Sequence, residues 1–218
     1  MFVPQNQNQF RTANADVQMF YAPQSSLANQ LRSSWNKPTG VSHVYIMLIG
    51  SGGQGGGEDG GGSAAVTVWY GAAQHVPDIL YLKIDSAGNS GGFTAVYGRF
   101  SSSTPVELLR AESANGFGGG ASTAANNFSA SGFYQSVAGQ NGSSGSISAS
   151  PTTFLSGGSY SSSVAANYGY TNSAQGLFFI QPLIVSVGGS SGGRGGVGSG
   201  AGGNTVQGGP GFALIASW

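Results

Sequence analysis

The sequence predicts an all-β protein: a β-sandwich or jelly-roll-like core, glycine-rich extended segments of polyglycine-II type, and an N-terminal arm. Three observations predict it. Beyond Trp35 the apolar runs are short, β-branched or aromatic, and bounded by Gly, Pro, Asn or Ser, which is how strands read. Helix signals are few: a cap with one i,i+4 leucine pair within residues 26–31, and a Thr104-Pro105 start further on. Glycine supplies 40 of the 218 residues and is concentrated in two blocks with three-residue spacing.

In chain order, residues 1–34 are rich in Gln and Asn and contain no glycine, so they read as a docking arm, whereas residues 35–218 form the glycine-punctuated β domain. Strands are expected at 41–49, 65–70, 79–84, 93–97, 177–187 and 212–218. Both alternating faces of residues 44–49 are apolar, which predicts a strand covered on both sides. Residues 104–110 fit a helix start or a strand equally, although glycine at 116 and 118–120 leaves a helix little room. The first and last strands of the domain are expected to be neighbours.

Residues 50–62 hold nine glycines in thirteen positions. Gly50, Gly53 and Gly56 recur every three residues with Gly62 in the same phase, and Gly52, Gly55 and Gly61 form a second row. The rule returns at Gly189, Gly192, Gly195 and Gly198, within a stretch, 188–211, where thirteen of twenty-four residues are glycine. An extended helix with three residues per turn would present one edge of bare backbone, against which a neighbour can pack closely. Irregular ordered loops and plain disorder are the competing readings. Collagen is excluded, because the phase breaks after Gly198 and proline is scarce.

Charged residues make up 6% of the chain, and seven acids balance seven bases, so there is no basic stripe for nucleic acid. Hydrophobic content of 39% argues against charge-driven disorder. Without cysteine, neither a disulfide frame nor a thiolate metal site can form. No apolar run approaches the length of a membrane span, and the first residues lack the apolar core of a signal peptide. A soluble, unprocessed protein is the expectation.

Motifs that carry chemistry are matched only superficially. Residues 55–60 fit G-x-G-x-x-G after a strand, but Glu58 and Asp59 stand where a pyrophosphate needs neutral amides, and a strand follows. Residues 198–203 fit too, with no room left for a βαβ unit, and no P-loop is present. G-x-S-x-G occurs around Ser90 and Ser190, yet both histidines, His43 and His75, lie upstream, the wrong order for that hydrolase fold. Glu58 and Asp59, with backbone carbonyls, or Asp78 and Asp85, flanking a strand, are the thin candidates for a metal or an acid pair; solvated loop carboxylates explain them as well. Asn127-Phe128-Ser129 and Asn141-Gly142-Ser143 are glycosylation sequons. No catalytic, cofactor-binding or metal-binding residue is therefore assigned, and no cofactor is expected. Residues 121–175, with runs such as Asn167-Tyr168-Gly169-Tyr170-Thr171-Asn172, have the Tyr/Ser/Gly/Asn mixture of recognition loops, which is also that of an ordinary low-charge surface.

Trp35-Asn36-Lys37-Pro38-Thr39-Gly40-Val41 before an apolar strand, Ile49-Gly50-Ser51-Gly52-Gly53, and the closing run from Gly208-Gly209-Pro210-Gly211-Phe212 to Trp218 together resemble the glycine-rich domains of bacteriophage tail fibres and related viral structural proteins. The resemblance covers residues 35–218 at its two ends and loosely between them. It implies a non-enzymatic virion protein, exposed at a fibre tip, spike or capsid surface, with host attachment through a receptor or glycan as one task. It also implies a homo-oligomer, with a trimer favoured, and partners among other virion proteins reached through residues 1–34. The alternatives are a glycine-rich binding module such as an ice-binding protein and, less favoured, a glycan-acting enzyme.

Overall fold

The computed structural model describes residues 16–22, 33–56, 60–86, 92–99, 104–142, 197–198, 200–201 and 207–218. The expectations for residues 26–31 and 177–187, Glu58, Asp59, Ser90, Ser190, residues 167–172 and the glycine row at 189, 192 and 195 fall outside these.

Nine strands are described: β1 (Asp16–Tyr21), β2 (Ser33–Asn36), β3 (His43–Ile49), β4 (Val66–Ala72), β5 (Ile79–Lys83), β6 (Phe93–Gly98), β7 (Val106–Glu112), β8 (Phe133–Val137) and β9 (Phe212–Ser217). They form two antiparallel sheets. One has the order β1-β9-β3-β4-β8 and the other β2-β5-β6-β7. Among the described residues there is no α-helix, only two single 3₁₀ turns, Ala73–His75 and Ser129–Ser131. None is long and apolar enough to cross a membrane.

Residues 104–110 resolve as strand, because Pro105 precedes a run whose inward side chains, Leu108, Leu109 and Ala111, belong to the core. That core lies between the sheets. Val44, Ile46, Leu48, Trp69, Ala213 and Ile215 from the five-stranded sheet meet Trp35, Leu80, Leu82, Val96 and Leu108 from the four-stranded one, all buried. Trp35 is fully enclosed, and burying an aromatic of this size contributes most per residue to such a core. The rest of the opening motif is also structural. Lys37 Nζ donates to the carbonyls of Ala73 and Val76 at 3.3 and 2.7 Å, tying the first strand of the domain to the 3₁₀ turn. Gly40 takes a φ of 84°, a left-handed conformation that favours glycine.

The five-stranded sheet is apolar on both faces. β3 is buried at every position after His43, as its sequence predicts, since Tyr45, Met47 and Ile49 form a second cluster with Val66, Val68, Phe212, Leu214 and Ala216. β9 pairs with β3 (Ile46 opposite Ile215), which makes the first and last strands expected from sequence neighbours. On its other side β9 pairs with β1, placing Asp16–Tyr21 within the sheet although they belong to the 1–34 segment. Val17, Met19 and Tyr21 lie opposite Ala216, Leu214 and Phe212, so they extend the second apolar cluster to the sheet edge, where they are about half exposed.

From the same strands, glycine-rich chain continues outward and packs side by side. Donors in this region alternate in threes. Gly50 and Gly53 donate to Ala65 and Gly62, while Gly52, between them, donates to Gly209. In the facing segment Gly61 and Ala64 donate to Ala201 and Gly198, Gly62 and Ala65 to Gly116 and Glu112, and Ser63 to Gln140. A donor that returns to the same neighbour every third residue is what a three-residue turn produces, whereas a strand alternates between two sides. A Cβ on Gly139 would overlap the Ser63 carbonyl, and one on Gly61 the Gly53 carbonyl, so these approaches are open to glycine alone.

Candidate functional site

Charge, scarce in the chain, gathers on the outer face of the four-stranded sheet. Lys83, Glu107, Arg110 and Glu112 stand there beside Tyr81, Phe93 and Tyr97, with Arg99 just beyond β6. Phe93 lies between two cations, Lys83 Nζ at 3.3 Å and the Arg110 guanidinium at 3.6 Å from the ring centroid. Both approach so closely that they must occupy opposite ring faces. Burial lowers the Lys83 ammonium from its ordinary value; the Arg110 charge acts in the same direction and Asp85 against it.

Glu107 and Arg110 are three apart, a spacing that in a regular strand would put them on opposite faces. A β-bulge changes that. The β6–β7 register runs from Val96 opposite Leu109 to Tyr97 opposite Glu107, leaving Leu108 as the extra residue. Leu108 and Leu109 both turn inward, and Glu107 and Arg110 both turn outward. The guanidinium then meets the carboxylate in a fork, Nε to Oε1 and Nη2 to Oε2, each at 2.8 Å, with a second link from Nη1 to Glu112 at 3.2 Å. Tyr97 donates its hydroxyl to Glu107 Oε2 at 3.2 Å. Desolvation, followed by the Glu107 charge, raises the Tyr97 phenol to about 12.

β7 is the edge of its sheet, and side chains satisfy its outer carbonyls. Asn126 Nδ2 donates to Leu108 O at 2.9 Å, while Thr67 and Thr123 hydroxyls donate to Arg110 O at 2.7 and 3.0 Å. Asn126 is locked in turn, its Oδ1 accepting from Ser129 N and its own N–H donating to Ser129 Oγ. The stage is therefore rigid. Between the bulge, the 126–131 turn and the 3₁₀ turn lies an open cleft of about 420 Å³, lined by His75, Val106, Glu107, Leu108, Asn127 and Phe128 together with Asn126 and Ser131. Phe128 rests one ring face on Trp69, with centroids 4.8 Å apart.

The residues singled out from sequence fare differently. Asp78 is 91% exposed and ion-paired with Lys37 at 2.9 Å, while Asp85 is fully buried at the other end of β5. Seven residues of extended chain span about 23 Å, well beyond the roughly 5–9.5 Å between paired glycosidase carboxylates, so no acid pair forms. Asp85 instead fastens the glycine segments to the sandwich. Its Oδ2 accepts from the Ser51 and Ser113 hydroxyls, and its backbone carbonyl accepts from Gly211 N at 2.9 Å. Asp85 Oδ1 has no hydrogen-bond partner among the described residues.

The G-x-G-x-x-G match at 55–60 leads through residues 60–65 into β4, not into the helix N-terminus that holds a pyrophosphate, and the match at 198–203 lies partly outside the described residues. His43 stacks with Tyr70 and Trp218 at the end of the five-stranded sheet, and His75 is exposed on the cleft. Among the described residues no three His, Asp or Glu come together as metal ligands would. Asn127 is exposed at the cleft, and Asn141 is exposed with its Oδ1 accepting from Gly119 N. Glu107 and Arg110 drew no functional expectation from sequence, and Phe128 entered only within the sequon and the 121–175 recognition-loop mixture. The only available trace was the adjacent leucine pair inside a run of otherwise alternating burial, the mark of a bulge. No protein-family model matches the chain, and no curated protein matches it in sequence.

Proposed function

We propose that the protein is a non-enzymatic structural protein of a virus particle, displayed at its surface on a spike, fibre tip or capsid decoration, where it attaches to the host. The observation that carries this reading is the joint placement of the two stretches behind the tail-fibre resemblance. Trp35 and Lys37 anchor the entry to the sandwich, and the closing Gly208-to-Trp218 run supplies β9, held between β1 and β3. Between them, backbone packs on backbone through glycine. Such an assembly has little side-chain chemistry and high rigidity, which suits a load-bearing appendage that presents a surface. Within this reading residues 1–15 and the exposed edge of β1 reach other virion proteins, and the assembly is a homo-oligomer, with a trimer favoured.

The test is location. Gold-labelled antibody raised against the purified protein should decorate intact particles from the natural source. Labelling confined to free protein, with none on particles that carry the chain's peptides elsewhere, would refute surface display. The mass of the purified protein in solution tests the oligomer: a monomer at every concentration removes the trimer.

A further inference from the structure

We propose that the cleft beside the β7 bulge binds a neutral sugar unit of a glycan. The inference rests on the attachment role above and names its ligand class. A hexose offers hydroxyls that donate and accept in the ring plane and an apolar C–H face, so its site needs neutral bifunctional groups around an apolar floor. Val106 and Phe128 present the apolar floor above the buried Leu108, and the Trp69 stack fixes the Phe128 ring.

The polar rim has spare capacity of the right kind. Glu107 has about four acceptor sites, and the Arg110 fork and the Tyr97 hydroxyl occupy three of them, leaving one. Its charge is already answered by Arg110, so the cleft does not demand a cationic ligand. Ser131 donates to Phe128 O at 2.6 Å and keeps its acceptor sites. Asn127 is exposed on the rim with an amide that pairs a donor with an acceptor, and His75, exposed beside it, keeps Nδ1 while its Nε2 meets Gln74 Nε2 at 3.5 Å. Bulges recur beside functional sites because they re-aim side chains, and this one turns Glu107 outward. The volume, about 420 Å³, lies in the range of small-molecule sites and fits one or two sugar rings.

The full-length protein, labelled with ¹⁵N, is titrated separately with D-galactose, N-acetyl-D-glucosamine and methyl α-D-mannopyranoside, and with sodium D-glucuronate as the charged comparison. At least one neutral sugar is expected to give saturable shifts at residues 106–108 and 126–131, with a dissociation constant in the millimolar range. Asn127→Ala, at an exposed position, is expected to weaken that binding about tenfold or more with the urea midpoint unchanged. No shift with any neutral sugar, shifts that survive Asn127→Ala, or an equal response to glucuronate overturns the proposal. A short peptide from random pools giving saturable shifts at the same residues, with no sugar response, overturns it as well. Particle labelling stands apart from all of these, so loss of sugar binding leaves the surface reading intact.

Discussion

Gly139→Ala measures how much the backbone-on-backbone packing contributes. The added Cβ would overlap the carbonyl oxygen of Ser63 and crowd that of Ala64, so the two segments must part by about an ångström. Three hydrogen bonds of 2.8 Å hold that contact: Gly139 N to Gly120 O, Ser63 N to Gln140 O, and Gln140 N to Ser63 Oγ. Weakening two of them costs about 2 kcal/mol. Overpacking adds roughly 1–3 kcal/mol, and the stiffer unfolded chain returns about 0.4–1 kcal/mol. The net destabilisation expected is about 3 kcal/mol, or a fall in Tm of about 6–12 °C for a chain of this size. Gly56→Ala is the control, because a Cβ there meets nothing within 4 Å. Its effect should stay within about 0.5 kcal/mol. Urea unfolding followed by tryptophan fluorescence reads both. If Gly139→Ala matches Gly56→Ala, the close packing contributes nothing and the reasoning fails.

Asp85→Ala strands the Ser51 and Ser113 hydroxyls and should cost about 2–4 kcal/mol, whereas Asp85→Asn keeps an acceptor oxygen and should lie nearer the wild type; the reverse order in urea unfolding would sink this account. Tyr97, raised to about 12 when folded, stays protonated while its unfolded counterpart ionises, so stability should fall as pH rises from about 10 to about 12. Absorbance titration should show a late-ionising component that Tyr97→Phe removes; identical profiles for the two proteins would contradict the environment described. Trp35→Ala should lose about 3–5 kcal/mol, read as a lowered urea midpoint, and a loss under 1 kcal/mol would mean that Trp35 is not central to the core. Deleting residues 1–22 bares the edge of β9, so light scattering should show self-association at lower concentration; an unchanged mass and midpoint would show that β1 adds nothing to the sheet.

The strands readable from sequence are those whose side chains carry their own burial. Residues 44–49 and 212–217 are apolar on both faces, β5 alternates in burial, and β6 is a short β-branched and aromatic run, so each announced itself. β1 and β8 did not. Asp-Val-Gln-Met-Phe-Tyr leaves Val17, Met19 and Tyr21 half exposed, and β8 has no fully buried residue, so both owe their state to pairing with β9 and β4. Pairing of that kind is non-local and leaves a weak local pattern. The Glu107–Arg110 fork was hidden for a related reason: its spacing makes sense only with the bulge, and a bulge is defined by the partner strand. Asn127 was visible only as a sequon and as part of the 121–175 recognition-loop mixture, since nothing local tells that His75, Val106 and Glu107 line the same cleft.

Rotation of donors by thirds explains why the glycine segments leave the sheets at all. A strand offers hydrogen bonds in two opposed directions and so extends a sheet in a plane. Chain whose donors turn to three neighbours in succession, as residues 61–65 do, is held from several sides at once and extends as a bundle. Close packing leaves no space for a Cβ at Gly50, Gly53, Gly61, Gly62, Gly139, Gly142 and Gly208, and only small side chains, Ser63, Ala64 and Ala65, stand between, so the bundle presents few side chains. Charged side chains are found instead on the sandwich, where Lys83, Arg99, Glu107, Arg110 and Glu112 collect on one face. β3, β4, β7, β8 and β9 all run directly into or out of the bundle, and Asp85 fastens the two at their junction. On such a frame the cleft is held by hydrogen bonds and packing of its own, so weak polar contacts to the proposed sugar would not have to offset the entropy of ordering a loop.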